Sequence, residues 1–254
     1  MVKLSVCIIS KNEDEVIESC LRSVSWANEI VVVDSGSTDQ TLNIAKKYTD
    51  KIFFNQWPGF GRQRQKAEEL ATNDWIFAID CDEVVTEDLK QEILRLLSSG
   101  VMGKKNVYFV NRLTKLFGKF INYGEMHPDR IGRIYNKTHT GYDDILVHEK
   151  VKVKNCRIIH LKSKLLHFYK STYEDYCIKL NRHAEDSAQD KFIKGKKTNY
   201  IDAVYRAFHA FVKNYIFKLG FLDGVPGFKI AWARVVYTYN KYDLLIKKYK
   251  GRIS

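Results

Sequence analysis

Proline, cysteine and long apolar runs are scarce in this sequence of 254 residues. With three prolines and 14 glycines, it shows no sign of disorder or low complexity. Its five cysteines are scattered without a Cys-x-x-Cys pair, which argues against a zinc site or disulfide framework and favours a reducing compartment. No apolar stretch is long enough to cross a bilayer. We do not expect the opening MVKLSVCIISKNEDE to be a signal peptide, because acidic residues directly follow its short apolar run.

Positive charge is concentrated in the second part of the chain. Residues 1–150 contain 20 Lys and Arg against 22 Asp and Glu, whereas residues 151–254 contain 22 against 8. The net charge of +12 therefore comes from the C-terminal part, which is also rich in aromatic residues. Such a surface is expected to face something anionic: a membrane, a phosphorylated glycan or a nucleic acid.

The first hundred residues alternate between apolar strands and amphipathic helices. The predicted strands are 4–10, 29–35, 51–56 and 74–80, and the predicted helices are 12–27, 40–48, 61–72 and 86–100. Thr86 is expected to cap the last of these helices, and Gly100 is expected to end it. This alternation predicts a parallel sheet covered on both faces. Looser strand patterns at 106–113, 130–136 and 156–169 predict a mixed second part of the sheet.

The chain from about residue 171 is predicted to form long helices, including 201–220 and 228–250, joined by the turn FLDGVPGF. Both have aromatic residues at helical spacing with lysines between them. Three interpretations stay open for them. They pack on the first domain, they bind nucleic acid, or they lie on an anionic membrane. Helix 201–220 would also suit a dimer interface.

Polar clusters follow three of the predicted strands: SKNE at 10–13, DSGSTD at 34–39 and DCDE at 80–83. Since ligands bind at the carboxyl ends of parallel strands, all three clusters should share one edge. Crowded carboxylates raise each other's pKa unless a cation lies between them, and a divalent metal bridging to phosphate is the usual one. The alternatives are an ordinary turn in which Thr38 or Asp39 caps a helix, and a structural carboxylate cluster. Gly-rich dinucleotide and P-loop motifs are absent.

The loop DSGSTD and the later DCD, in a chain with SVCIISKNEDEVIESCLRSV near its start, resemble family 2 glycosyltransferases. The segments WPGFGRQRQKAEELATNDWIFAIDCDE, LVHEKV, LLHFYKSTYEDYCIKLNRHA and GFLDGVPGF resemble more closely the bacterial lipopolysaccharide-core β-glucosyltransferases that extend heptose. Cys81 departs from this subgroup, which more often has alanine there. Its side chain is expected to point away from the ligand.

The resemblance implies an α/β GT-A fold: a Rossmann-like, mostly parallel sheet with helices on both faces, plus a basic helical extension. We expect residues 1–170 to form the nucleotide-sugar-binding catalytic domain and residues 171–254 to form the helical region. The implied reaction is inverting transfer of a hexose, with glucose expected, from a UDP-sugar to a heptose of the lipopolysaccharide or lipooligosaccharide inner core. Mg²⁺ or Mn²⁺ would assist it. The enzyme is expected at the cytoplasmic face of the inner membrane, without nucleic acid.

The resemblance also assigns roles to the strand-end residues. Asp82 would ligate the metal, Asp80 would contact the sugar or ribose, and Glu83 would make a metal-side or sugar-side contact. His167 is either a second metal ligand or a packed core histidine. The remaining residues expected to bind the UDP-sugar are Ser10, Asn12, Glu13, Asp34 (at the nucleobase) and a basic residue near the start of helix 61–72. Of Arg62, Arg64 and Lys66 in that stretch, Lys66 best matches the family and Arg62 is second.

Inversion needs one general base for the acceptor hydroxyl. Glu149 is the first candidate, with Asp143, Asp144 and Asp129 as competitors. Another UDP-hexose or another glycolipid acceptor would fit the same chemistry. A nucleotidyltransferase is a more remote alternative, since it would normally have a Gly-rich phosphate loop. A membrane- or nucleic-acid-binding module would explain the basic helices but not the three acidic clusters.

Overall fold

The computed structural model describes residues 2–144, 150–169 and 172–251. The chain divides into two compact units. The first comprises Met1–Leu113 and Asp129–Phe168, and the second comprises Thr114–Pro128 and Tyr169–Ser254. Division of the chain at residue 170 stays a prediction. No sequence pattern indicated that the short segment Thr114–Pro128 groups with the helical unit.

The first unit is built on the sheet. Its strands are β1 Leu4–Ser10, β2 Glu29–Asp34, β3 Ile52–Phe54, β4 Trp75–Asp80, β5 Glu83–Val85, β6 Asn106–Leu116 (whose last residues belong to the second unit), β8 Asp129–Asn136 and β9 Arg157–Phe168. Its helices are α1 Ile17–Val24, α2 Thr41–Ala45, α3 Phe60–Leu70 and α4 Glu87–Ser98. The short strand β7, Lys119–Phe120, pairs with the end of β6 inside the second unit.

The strand order is β3-β2-β1-β4-β8-β6-β9-β5. The first four strands are parallel, β8 is antiparallel to both β4 and β6, and β5 is antiparallel to β9. Alternate residues of β1 enter different cores, because successive side chains of a strand point to opposite faces. Val6 and Ile8 pack with α1 and α4, whereas Cys7 packs with Ala67 of α3. The expected α/β sheet with helices on both faces is confirmed, including its mixed second part.

Local signals determine the helix ends. The Thr86 side chain accepts a hydrogen bond from the backbone N–H of Leu89 at 3.2 Å, and acidic residues occupy the first turn of α4. Gly100, with φ of +70°, follows the helix. The predicted helix 86–100 therefore begins and ends through the capping and termination that the sequence indicated.

The second unit contains α5 Tyr173–Ile193, α6 Tyr200–Phe211 and α7 Val225–Tyr249. The predicted helix 201–220 is regular α-helix only as far as Phe211. After α6 the chain forms a π-helical turn, Val212–Phe217, and then the 3₁₀ turn Gly220–Asp223. Glycine is required at the start of this 3₁₀ turn, because a Cβ on Gly220 would lie 2.6 Å from the carbonyl oxygen of Asn214. No described helix is both long enough and apolar enough to cross a membrane.

Candidate active site

The carboxyl ends of β1, β2 and β4 meet, as the sequence predicted. In the register of the sheet Ser10 is opposite Asp34, and Ile9 is opposite Asp80. The Ser10 hydroxyl donates a 2.9 Å hydrogen bond to Asp34 Oδ2. The three polar clusters therefore occupy one edge of the first unit, where a ligand of a parallel sheet binds.

Asp34 organises the loop that follows β2. This carboxylate is 2% exposed, and its Oδ1 accepts hydrogen bonds from the backbone N–H groups of Gly36 and Ser37 at 2.8 and 2.7 Å. Its Oδ2 accepts from the hydroxyls of Ser10 and Ser37. These contacts give Asp34 a structural task in the loop, and contact with a nucleobase stays a prediction.

The loop after β1 is joined to the same structure. Asn12, at φ of +55°, accepts from the backbone N–H of Thr38 at 2.8 Å, and its own N–H donates to Ser37 Oγ at 2.8 Å. The N–H of Glu13 donates to Thr41 Oγ1 at 2.8 Å. Two loops distant in the sequence are thus tied together beside Asp34, but no contact shown here tests a donor-binding role for Asn12 or Glu13.

Arginine side chains neutralise two of the three clustered carboxylates. Arg133 of β8 contacts Asp80 Oδ2 and Glu83 Oε1, each at 2.6 Å. Arg64 of α3 pairs with the other oxygen of Asp80, and Arg112 of β6 lies 3.3 Å from Glu83 Oε1. The sequence interpretation assigned the compensating cation to a metal. For Asp80 and Glu83 the structure instead places guanidinium groups between the carboxylates.

Burial and these cations act in opposite directions on Asp80. Burial, the largest influence, opposes its ionisation, but Arg133 and Arg64 together outweigh it and hold the pKa of Asp80 well below its ordinary value. Asp80 is therefore a carboxylate at neutral pH. Glu83 is completely buried, and its second oxygen accepts from the backbone N–H of Asp80 at 3.0 Å. A contact of Glu83 with metal or sugar stays a prediction that its burial does not favour.

Asp82 differs from its two neighbours in its partner, because it pairs with a histidine and they pair with arginines. Its Oδ2 lies 3.1 Å from Nε2 of His167, and its side chain is 29% exposed. The pairing of β5 with β9 brings the two residues together, since Glu83 lies opposite His167 in the register. The Asp82 carbonyl also accepts from the N–H of Phe168 at 2.8 Å. Strand pairing thus fixes the backbone of both residues.

The predicted cationic residues of α3 point in different directions. Lys66 pairs with Glu69 at 3.2 Å on an exposed face, and Arg62 is exposed. Arg64, which the sequence interpretation ranked behind both, is buried at Asp80, and its guanidinium lies 5.0 Å from the centre of the Tyr142 ring. The roles of Lys66 and Arg62 in diphosphate binding stay predictions.

The first candidate for the general base, Glu149, lies outside the described residues. Of its competitors, Asp129 pairs with Arg112 at 2.8 Å. Asp143 accepts from the backbone N–H of Lys150 at 3.1 Å, and Asp144 is exposed. The assignment of the base therefore stays a prediction.

The family model described as "Glycosyl transferase family 2" matches residues 5–151. The chain belongs to this family. It is 28% identical over 255 residues to an uncharacterized glycosyltransferase of Rickettsia conorii, covering 96% of this chain and 89% of the relative. It is 27% identical over 248 residues to the lipopolysaccharide core biosynthesis glycosyltransferase LpsC of Rhizobium meliloti, covering 93% of this chain and 89% of that one.

Among solved structures, a glucosyl-3-phosphoglycerate synthase from Mycobacterium tuberculosis, in complex with Mn²⁺ and UDP-glucose, matches at a TM-score of 0.36 and 24% identity. The match covers 45% of this chain and 44% of that chain. The family membership and the α/β sheet described above confirm the GT-A fold that the sequence implied.

In this family 2 glycosyltransferase, Asp82 and His167 are the pair to be compared with the needs of a divalent metal site. No three His, Cys, Asp or Glu groups converge as metal ligands within residues 2–144, 150–169 and 172–251. The Asp82 carboxylate nevertheless fits a Mg²⁺ or Mn²⁺ site, because Mg²⁺ usually takes one or two protein carboxylates and completes its shell with substrate phosphates and water. Mn²⁺ also accepts carboxylate and water ligands.

Sequence reasoning missed two groups of site residues in this glycosyltransferase. Arg112 and Arg133 lie in segments that were recognised only as strands, and a strand pattern carries no signal for a partner on another strand. Gln63 of α3 is completely buried and donates to Ser35 Oγ at 3.0 Å, while its Oε1 accepts from Asn55 at 2.6 Å. A buried glutamine in a polar stretch likewise has no sequence signature.

Proposed function

We propose that this family 2 enzyme is an inverting hexosyltransferase that uses a UDP-sugar, with glucose as the expected hexose. We further propose that its acceptor is a heptose of the lipopolysaccharide or lipooligosaccharide inner core, presented at the cytoplasmic face of the inner membrane. The likeness to LpsC over nearly the whole chain supports the choice of pathway. The resemblance of the sequence motifs to heptose-extending glucosyltransferases supports the choice of acceptor.

The observation that carries the proposal is the contrast between Asp82 and the other two carboxylates. Asp80 and Glu83 are paired with arginines, whereas the described ionic partner of Asp82 is His167. Asp82 and His167 would hold a Mg²⁺ or Mn²⁺ ion, which when bound supplies Lewis-acid neutralisation of the departing diphosphate. The leaving group then needs no proton from the protein.

The remaining chemistry falls to one carboxylate and to the loops. Direct displacement with inversion needs a base that takes the proton of the acceptor hydroxyl, and Glu149 is proposed for this task. The loops after β1 and β2, held together through Asp34 and Asn12, are proposed to bind the uridine part of the donor. Arg64 and Arg133 keep Asp80 ionised beside the proposed sugar position, where a carboxylate would accept hydrogen bonds from sugar or ribose hydroxyls.

A thermal-shift panel tests the donor and the metal together. The protein is heated with UDP-glucose, UDP-galactose, UDP-N-acetylglucosamine, ADP-heptose, CTP or NAD, each with Mn²⁺ and with chelator. A ligand held at about 100 times its dissociation constant adds about 2.7 kcal/mol to the free energy of unfolding. We expect one UDP-sugar to raise Tm with Mn²⁺, and chelator or Asp82→Asn to abolish the rise. Asp74→Asn, at the opposite end of β4, is the matched control and should keep it.

The same panel contains the results that would overturn the proposal. A shift with CTP and none with any UDP-sugar would favour the nucleotidyltransferase. A shift with UDP-galactose or UDP-N-acetylglucosamine would keep the reaction and replace glucose. Transfer to a heptose-terminated core, followed by NMR of the new anomeric centre, tests acceptor and inversion, and a retained anomeric configuration would contradict the proposed mechanism.

A further inference from the structure

Helix α6 buries small residues and exposes its large apolar residues. Its most buried residues are the small Ala203 and Ala207. Its large apolar residues occur at spacings of three and four and point outward: Ile201 is 84% exposed, Val204 57%, Tyr205 66% and Phe208 65%. A surface helix of a globular protein normally buries this stripe and exposes polar residues. The helix therefore presents an apolar face to its surroundings.

The apolar face continues through the turns after α6 and along the first turns of α7. Phe217 is 75% exposed, Val225 68% and Trp232 50%. Ring contacts join these segments, since Phe228 of α7 lies 6.3 Å from Phe211 of α6 and 5.8 Å from Tyr215 of the π-helical turn, measured between ring centres. We define the aromatic patch as the following residues of the second unit: Ile201, Val204, Tyr205, Phe208, Ile216, Phe217, Leu219, Phe221, Leu222, Val225, Phe228 and Trp232. Large apolar side chains exposed together in one part of a fold mark an interaction site.

Charge around the aromatic patch is positive. Residues 199–232 contain four Lys and Arg against two Asp. Asp223 is 2% exposed and accepts from backbone N–H groups, and Asp202 pairs with Arg206 at 2.8 Å. Lys213 and Lys218 are exposed in the turn that carries Ile216 and Phe217. The accessible charge beside the patch is therefore cationic.

We infer that the aromatic patch is the surface with which the protein enters the headgroup region of an anionic lipid bilayer. Large apolar residues interspersed with lysines match a surface whose interior is apolar and whose headgroups are negative. A second copy of the chain fits less well, because a symmetric contact of two patches doubles the number of lysines at the interface and brings no accessible, unpaired acidic residue of segment 199–232 to compensate them. The inference rests on the proposed function for its biological sense, since a glycolipid acceptor is held in such a bilayer.

Vesicle co-sedimentation of the full-length protein tests this inference. Vesicles of phosphatidylcholine alone are compared with vesicles that also contain phosphatidylglycerol. The apolar variant Ile201→Ser/Phe217→Ser is matched by Ile178→Ser/Ile193→Ser on α5, whose side chains are 52% and 74% exposed outside the patch. We expect the wild type to sediment with the anionic vesicles. The patch variant should bind at least about tenfold more weakly, since it loses buried apolar area, and the α5 variant should bind like the wild type.

The cationic part has its own variant pair. Lys213→Gln/Lys218→Gln should weaken binding to the anionic vesicles by about 25-fold, at about fivefold for each lysine near the surface. Lys46→Gln/Lys47→Gln, an exposed pair in the first unit, is the control and should leave binding unchanged.

Three results would overturn the inference. The wild type fails to sediment with any vesicle, or the patch variants bind as tightly as the wild type. In the third, sedimentation velocity shows that the wild type is a dimer and that the apolar variant is a monomer, while neither protein binds vesicles. That result would assign the patch to self-association. UDP-glucose thermal shifts on the same proteins separate this inference from the proposed function. If vesicle binding is absent and UDP-glucose still raises Tm, the membrane inference fails and the proposed function is kept. If the protein binds vesicles and UDP-glucose does not raise Tm, the membrane inference is kept and the proposed donor fails.

Discussion

Replacing Arg133 by methionine removes the guanidinium between Asp80 and Glu83 and keeps most of the aliphatic length. Both 2.6 Å contacts are lost, and Glu83, which is completely buried, keeps only the 3.3 Å contact with Arg112 among its described arginine partners. Removing one partner of a buried ion pair costs about 3–5 kcal/mol, because the charge left behind is poorly solvated. In a chain of this size each kcal/mol shifts Tm by about 2–4 °C, so we expect Tm to fall by about 6–20 °C.

Thermal unfolding followed by circular dichroism measures this effect. The matched control is Arg22→Met, which removes an exposed pair with Glu18 whose side chains are 71% and 43% exposed, and it should leave Tm within experimental error. A cycle with Glu83→Gln tests the cause. Because the two residues act on each other, the double variant should lose less than the sum of the single losses, by about 0.5–3 kcal/mol. A Tm for Arg133→Met equal to that of the control, or strictly additive losses, would refute the reasoning.

Two further predictions concern the same unit. The pKa of Glu29 is lowered to about 2 from 4.5, since hydrogen bonds from Lys51 and other neighbours outweigh its burial. Up to about 3 kcal/mol of the free energy of unfolding is therefore present above pH 4.5 and lost as pH falls towards 2. Urea unfolding at several pH values should show that Glu29→Gln removes this pH dependence. An unchanged pH dependence in the variant would show that the charge of Glu29 is not its cause. Gly141→Ala would place a Cβ 2.6 Å from Glu68 Oε2 and should lower the free energy of unfolding by about 1–3 kcal/mol, measured by thermal unfolding. The control Gly103→Ala makes only ordinary van der Waals contacts. Equal effects of the two substitutions would show that Glu68 moves aside.

The alternation of apolar strands and amphipathic helices was sufficient to predict the α/β sheet and the common edge of the three polar clusters. These features depend on local periodicity and on the rule that parallel strands end at one edge. The neighbouring positions of Ser10, Asp34 and Asp80 follow from it. Thr86 and Gly100 likewise carried the limits of α4 in their own side-chain and backbone preferences.

The charge partners of the site could not be predicted in this way. Arg133 is 53 residues from Asp80 in the sequence, and the two side chains meet only because β8 pairs with β4 in the antiparallel direction. Arg64 was visible as one of three basic residues near the start of a helix, but no local pattern distinguished it from Arg62 and Lys66. Which of the three turns inward depends on the packing of α3 against the sheet.

The sequence by itself determined the class of fold, the positions of the acidic strand ends and the presence of basic, aromatic helices. Tertiary structure alone decided that Asp80 and Glu83 are neutralised, that Asp82 meets His167, and that α6 turns its alanines inward and its large apolar residues outward. The physical reason is one of range. Helix and strand periodicity is encoded over a few consecutive residues, whereas charge compensation and burial depend on groups that folding brings together from distant parts of the chain.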